Sequence, residues 1–428
     1  MQKKDTTFYK ILPNGLKIVH RHALSEVAYV GVTVGVGTRD ELPQFNGLAH
    51  YVEHTVFKGC QTAAGHELTS RQIINKIEGI GGEINAYTTK EETTFYAATP
   101  ARHYKQTLQL LADLVLRPTF PKRETDKELG VILDEIESYE DSPSELIYDD
   151  FENMVFNGYS LAQPILGKRK TLKTISSKPD YPRDWVKNHF LPSRMVVFSQ
   201  GKMPFDAVCR EVERAFSDCD SFHLSATSEG MSPVVPLLRE TPTGYVPQSV
   251  SFRRHTHQTH VMLGGRAYPL GHDRQLATYL LNNIVGGGSL NSRLNLSLRE
   301  QKGLVYTVES QYVPLSDTGY WCVYFAADPQ NVSACMELVM DELRKLREEK
   351  LSSAQLQRAL TQLRGQMAIS AENQENNVLA MAKQMLYFGY APTWQDTFLK
   401  VAATTPSMLL DVANDLFAAP SVSVLTYS

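Results

Sequence analysis

The sequence has 428 residues, 42% of them hydrophobic and 21% charged, with 43 Lys+Arg against 47 Asp+Glu for a formal charge of -4. This composition excludes a disordered or collagen-like chain. It also leaves no basic excess to neutralise a phosphate backbone, so no nucleic-acid partner is expected. At about 100–200 residues per domain, the length suggests two to four domains.

No stretch approaches the roughly 18–20 apolar residues of a membrane span. The charged start, Met1-Gln2-Lys3-Lys4, has no apolar run behind it, so no signal peptide is expected. Five cysteines (Cys60, Cys209, Cys219, Cys322, Cys335) are odd in number and show no CxxC pair. They read as reduced thiols of a cytoplasmic protein.

Residues 8–12 and 16–19 read as a hairpin around Pro13-Asn14-Gly15. The continuous apolar, β-branched run over 28–37 fits a strand buried on both faces. Residues 47–57 turn helical, with Leu48, Val52 and Phe57 as core candidates, and a second helix covers 70–80. Gly81-Gly82 ends it, and one strand is expected over 83–98. Helices over 104–116 and 122–139 follow, separated by Pro118 and Pro121, and a strand at 196–198 closes this half near Met203.

Ser, Thr, Gly and Pro then cluster between about residues 222 and 250. A first domain is therefore expected over 1–222, a linker over 223–250 and a second domain over 251–428. In the second half the order repeats: strand 260–264, helices 274–284 and 290–300, strands 306–312 and 319–326, and long helices 331–349 and 353–388. The repetition suggests an internal duplication. Mostly antiparallel sheet packed with helices, an α+β pair of related sandwiches, is the expected fold.

The strongest chemical signal is His50-Tyr51-Val52-Glu53-His54, an H-x-x-E-H within a predicted helix. Residues at i and i+4 stand one above the other on a helix face, and i+3 lies on the same side. Both imidazoles can therefore reach one tetrahedral zinc, leaving Glu53 beside the water that the metal acidifies. Such a carboxylate can take the water's proton and pass it to a leaving amine. A chance match is expected only on the order of 0.04 times in a chain of this composition.

Zinc held by two histidines needs a third protein ligand, usually a carboxylate, with a fourth position open. Helix 122–139 offers Glu124, Asp126, Glu128, Asp134, Glu135 and Glu137, and spacing alone does not choose among them. Glu128 and Glu135, two turns apart, share a half-apolar face with Val131 and Ile132 nearby, which places them better to point inward than Glu124 or Glu137.

The sequence H-Y-V-E-H, followed by E-L-G-V-I-L-D-E-I-E-S-Y, resembles the active-site pair of the pitrilysin/insulinase/mitochondrial processing peptidase family of inverzincin metallopeptidases. The chain is similar to a short two-domain bacterial-type member of it. The resemblance implies that His50, His54 and Glu135 bind one Zn2+ per chain, that Glu53 is the general base and then acid, and that Glu128 supports the ligand shell. The gap from His54 to Glu135 is slightly longer than in the family, and residues 60–71 are expected to absorb the difference as a loop.

The segment 81–88, G-G-E-I-N-A-Y-T, is similar to the family's G-G-x-x-N-A-x-T edge strand, which implies substrate contacts at Gly82, Asn85 and Ala86. An exposed edge can pair with an extended peptide through main-chain hydrogen bonds. Residues 163–167 resemble the family's P-I-x-G loop, although Ser160-Leu161-Ala162 replace the His-Pro-Leu often found before it.

In the second half, residues 286–294 match a glycine-rich segment of the family; the G-K-[ST] of a phosphate loop is missing. Arg299 and Tyr306 match the family's Arg/Tyr pair, implying a hold on a substrate carbonyl and on the oxyanion. His255, His257 and His260 have no Cys or carboxylate nearby and read as a solvated strand edge.

The expected function is therefore a zinc-dependent endopeptidase acting on short or unfolded peptides. A catalytically silent partner subunit and a peptide-binding module without turnover are the alternatives. Single-chain members of the family carry four such domains, so a two-domain chain implies a homodimer with shared active sites. A heterodimer with a non-catalytic relative is the rival arrangement.

Overall fold

The computed structural model describes residues 7–178, 180–217, 239–254 and 256–428. Cys219, His255 and residues 223–238 of the expected linker lie outside the described residues. The chain divides into two units built from interleaved segments rather than from contiguous halves. The first comprises residues 1–136, 163–239 and 372–392, and the second comprises 137–162, 240–371 and 393–428.

The first unit is built on a six-stranded sheet. In chain order its strands are β1 (Thr7–Ile11), β2 (Lys17–His22), β3 (Val27–Val34), β6 (Glu83–Thr88), β7 (Thr93–Pro100) and β8 (Met195–Gly201). They lie in the order β1-β2-β8-β3-β7-β6, antiparallel throughout except for the parallel pair β2/β8. The expected first hairpin is present, turning at Gly15 with φ 87°. The run over 28–37 supplies β3, which pairs on both sides and is buried along most of its length.

One face of this sheet is covered by α1 (Leu48–Val56), α2 (Ser70–Glu78), α3 (Tyr104–Leu116) and α4 (Lys122–Glu140). Val30, Val32, Tyr51, Val52, Leu108, Leu111 and Ile132 belong to the core between them. The other face, carrying Val19, Tyr96, Val196 and Phe198, is covered by a helix from far along the chain, Gln374–Phe388, through Val378, Met381, Ala382 and Met385.

The second unit repeats the plan. β9 (Ser249–Phe252), β10 (Thr259–Ala267), β11 (Val305–Pro314), β12 (Gly319–Ala327) and β13 (Ser423–Tyr427) lie in the order β11-β12-β10-β13-β9, with only β13/β9 parallel. One face packs on α9 (Gln275–Gly286), α10 (Val332–Glu348), α11 (Ser353–Ser370) and α14 (Pro406–Leu416). The other is covered by α5 (Pro143–Val155), a helix from the first half of the sequence, through Ile147, Phe151 and Met154. Each sheet thus has its second face closed by one helix from the opposite half of the chain.

Several expected elements change. The single strand over 83–98 is a hairpin: Thr89 turns the chain, its N–H donating to Glu92 O at 2.8 Å while its hydroxyl accepts from Glu91 and Glu92 N. The charged run Lys90-Glu91-Glu92 is buried. Glu91 pairs with Arg39 at 2.6 Å, and Glu92 with Lys383 at 3.1 Å.

The long helix 353–388 is two helices. The break falls before Asn373, whose side chain caps the second by accepting from Asn376 N, so α12 (Gln374–Phe388) can leave for the other unit. Of the helix expected over 290–300 only its C-terminal part is helical, ending in a π-helical segment, Asn295–Glu300. Residues 60–71 are not a plain loop, because β4 (Gly59–Gln61) and β5 (Glu67–Thr69) pair there and α2 starts at Ser70. Strand β9 and the anchored Arg239, whose Nε and Nη2 donate to Asp40 at 2.8 Å, occupy part of the expected linker.

Candidate metal centre in the first unit

Helix α1 buries Leu48, Ala49, Tyr51 and Val52 in the core, which fixes its rotation and leaves His50, Glu53 and His54 together on the adjoining face. The two imidazole rings lie 4.6 Å apart between centroids, at 65°. Helix α4 buries Ile132 and Ile136, and this turns Glu135 toward them. Val131, expected on the same inward face, is instead 51% exposed. Glu135 Oε2 lies 3.8 Å from His50 Nε2 and 3.6 Å from His54 Nε2.

One ligand atom from each of His50, His54 and Glu135 falls within 4.8 Å of the others. Ligands about 2.0–2.2 Å from a tetrahedral zinc stand about 3.3–3.5 Å apart, so the two Glu135 distances are close to that spacing and the histidine pair has to close from within 4.8 Å. The donor set, two imidazoles and a carboxylate, is one that zinc accepts. Burial pushes the His50 imidazole down to about 3, with His54 adding to the effect. It is therefore neutral at physiological pH, as a ligand must be.

The surroundings fit as well. His54 Nδ1 lies 3.0 Å from Glu128 Oε1, so Nδ1 is placed to donate there and Nε2 is the nitrogen that faces Glu135. Glu128 Oε2 in turn pairs with Lys58 at 2.7 Å. Glu53 is largely buried: burial raises its carboxyl pKa, the nearby Thr88 hydroxyl and His54 oppose the rise and the Glu135 charge adds to it, and Oε2 makes no hydrogen bond of ordinary geometry to a protein group. A buried carboxylate oxygen without a partner is rare outside functional sites.

The outermost strand β6 runs beside α1, with Asn85 exposed, Ala86 packed against the core and Gly82 preceding the strand. Arg299 and Tyr306 belong to the second unit and lie together there, the guanidinium 5.5 Å from the ring centroid. Tyr306 is 80% exposed, at an irregularity of β11 between Val305 and Val308. His260 bonds Tyr324 at 2.8 Å and forms no ligand cluster with His257 among the described residues.

Two residues of this region escaped the sequence reading. Lys58 had a signal, standing one turn beyond His54 on the same side. Glu41 had none.

Two helices thus bring an inverted H-x-x-E-H pair and a distal glutamate to one point on an α+β scaffold, the donor set of a zinc-peptidase class. Residues 17–169 match insulinase (peptidase family M16), and residues 180–363 match the peptidase M16 inactive domain. An uncharacterized zinc protease of Bacillus subtilis is 30% identical over 94% of this chain and 94% of its own length. One from Streptomyces coelicolor is 30% identical over 97% and 88%. The chain belongs to peptidase family M16.

A protease from Helicobacter pylori shares the fold with a TM-score of 0.87 at 20% identity, over 99% of this chain and 100% of that one. Among the described residues no helix is long and apolar enough to cross a membrane.

Proposed function

We propose that the protein is a zinc-dependent endopeptidase that hydrolyses short or unfolded peptides within a closed chamber. The observation that carries the reading is the convergence of His50, His54 and Glu135 beside a buried, partnerless Glu53 oxygen. Zinc held by the three ligands would supply Lewis acidity, polarising a scissile carbonyl and acidifying water. Glu53, raised by burial, is suited to take the proton of the attacking water and return it to the leaving amine. β6 would hold the peptide by strand addition, with Gly82, Asn85 and Ala86 along it. Arg299 would hold a substrate carbonyl, and Tyr306, with its exposed hydroxyl, would donate to the developing oxyanion.

Substitution Glu53→Gln tests this. It should retain zinc by metal analysis yet lower cleavage of a quenched peptide on the order of 10²–10⁴-fold, because an amide cannot accept the proton. A residual rate within tenfold of wild type defeats the assignment. Zinc retained without any cleavage by the wild type would instead favour a silent partner subunit.

The proposed working unit is a homodimer in which each site takes zinc from one chain and Arg299/Tyr306 from the other. Two-fold pairing is the commonest closed symmetry. Mixing Glu53→Gln chains with Tyr306→Phe chains should then restore activity, since mixed dimers regain one intact site. A mixture as inactive as either parent, despite subunit exchange, would defeat sharing and leave the heterodimer with a non-catalytic relative.

A further inference from the structure

Helix α1 has no N-terminal cap of its own. Gly47 holds that position in a left-handed conformation, φ 95°, and has no side chain to offer. The cap comes from upstream. Glu41 Oε2 accepts from Gly47 N at 2.8 Å, and Oε1 accepts from Ala49 N at 2.6 Å. Asn46 Nδ2 donates to Oε2 at 3.1 Å. Both oxygens therefore serve as acceptors, the arrangement an ionised carboxylate takes at the positive end of a helix.

This seat is costly to build. Glu41 is only 4% exposed, and burial pushes its carboxyl up to about 8 against the pull of those donors; the ionised form is assigned from the geometry, two backbone N–H groups and an amide NH2 all aimed at its two oxygens. A carboxylate in a surface turn would avoid that desolvation.

The loop over residues 163–167, which has no part in the proposed chemistry, braces the same point. Asn46 Nδ2 also donates to Pro164 O at 3.0 Å, and Gln163 Nε2 donates to Glu41 O at 3.2 Å. A Cβ on Gly167 would lie 2.4 Å from Gly47 Cα, so the loop can press on the helix start only as glycine against glycine. Lys90 Nζ donates to Gln163 O at 2.6 Å, tying the turn after β6 to the same loop. The segment leading to Glu41 is fastened there too, since Arg39 N donates to Lys90 O at 2.8 Å.

We propose that Glu41 is a positioning residue for the metal centre. Its carboxylate, braced by residues 163–167, sets the place and rotation of the first turn of α1. It thereby sets the direction in which His50, next after the anchored Ala49, faces Glu135. The inference rests on the zinc-peptidase reading.

The test is the zinc dissociation constant, by competition with a chelator, alongside the thermal midpoint of the metal-free protein and the separate kcat and KM. Glu41→Gln keeps the size but turns an amide NH2 toward a backbone N–H. It should weaken zinc binding by about 10–100-fold, the range seen when a ligand loses its outer support, and lower kcat more than it changes KM. Val19→Ala, in the core on the other face of the sheet, should lower the thermal midpoint without moving zinc affinity.

Zinc binding by Glu41→Gln within twofold of wild type overturns the proposal. So does an equal loss of zinc affinity in Val19→Ala at the same drop in midpoint. If Glu41→Gln does not fold, Asn46→Ala decides: it removes one donor without touching the charge and should weaken zinc binding about 2–10-fold, whereas an unchanged affinity overturns the proposal. A wild type that takes up no zinc fails the underlying reading first, and the inference with it.

Discussion

The two units share one strand plan. Reading β2, β3, β6, β7, β8 against β9, β10, β11, β12, β13, both neighbour order and strand direction coincide, down to the single parallel pair in each five-strand set. The helix that follows the second strand of each set is α1 in one unit and α9 in the other, and four buried positions coincide. Leu48, Ala49, Tyr51 and Val52 are buried in α1, as Ala277, Thr278, Leu280 and Leu281 are in α9. At the spacing of His50, Glu53 and His54 the second unit therefore carries Tyr279, Asn282 and Asn283.

The polar chemistry differs accordingly. Asn282 is satisfied within its unit: it donates to Ser310 O at 3.1 Å and accepts from Ser310 Oγ at 2.6 Å. Glu53 keeps a buried oxygen with no protein partner. One scaffold thus exists in a self-satisfied form and in a form that leaves polar groups for something else to complete. The same helix position can serve packing or chemistry, and the hydrogen bonds tell which.

The largest expected effect bearing on that contrast is at the distal ligand. Glu135→Gln should lower zinc affinity on the order of 100-fold or more, while Asp134→Asn, Glu137→Gln and, in the second unit, Asn282→Ala should leave it unchanged. Metal analysis after dialysis reads this directly, and loss of zinc in Asp134→Asn would show that another face of α4 is used.

Next comes stability at acid pH. Burial pushes His20, in β2 beside Ser199, down to about 4. Its neutral form is the folded one, so the stability it contributes is complete above about pH 6.5 and is lost as pH falls toward 4, roughly 3 kcal/mol in all. In the second unit His260 shifts in the same direction but is only half-buried. Hydrogen exchange at pH 5 should therefore show the strands of the first unit opening before those of the second, and His20→Asn should narrow the gap. Equal opening of both units would remove this part of the contrast.

The smallest effect is expected at Glu128→Gln. It would keep an acceptor for His54 but lose the charge shared with Lys58. A decrease of about 10–100-fold in zinc affinity or kcat/KM is expected, without loss of fold.

What the sequence determined by itself was local and periodic. His50, Glu53 and His54 lie within five residues, so helical spacing alone put them on one face, and the strands and helices around them showed in runs of apolar residues. The duplication was legible because the order of elements repeats. Among the six acids of the expected helix 122–139, spacing left the choice open; resemblance to a family pointed to Glu135 and Glu128, and the packing of Ile132 and Ile136 turns that face to the histidines.

Only the tertiary structure decided the rest. The exchange of α5 and α12 between the two halves of the chain, the turn at Thr89 and the seat of Glu41 all depend on contacts between residues far apart in the chain, which leave no period behind. Lys90, Glu91 and Glu92 fell within the single strand expected over 83–98, and nothing local marked them as a buried turn, because charges cost too much to bury alone. They are buried because their partners, among them Arg39, Lys383 and the Gln163 carbonyl, arrive from elsewhere in the fold. Only folding brings those partners to them.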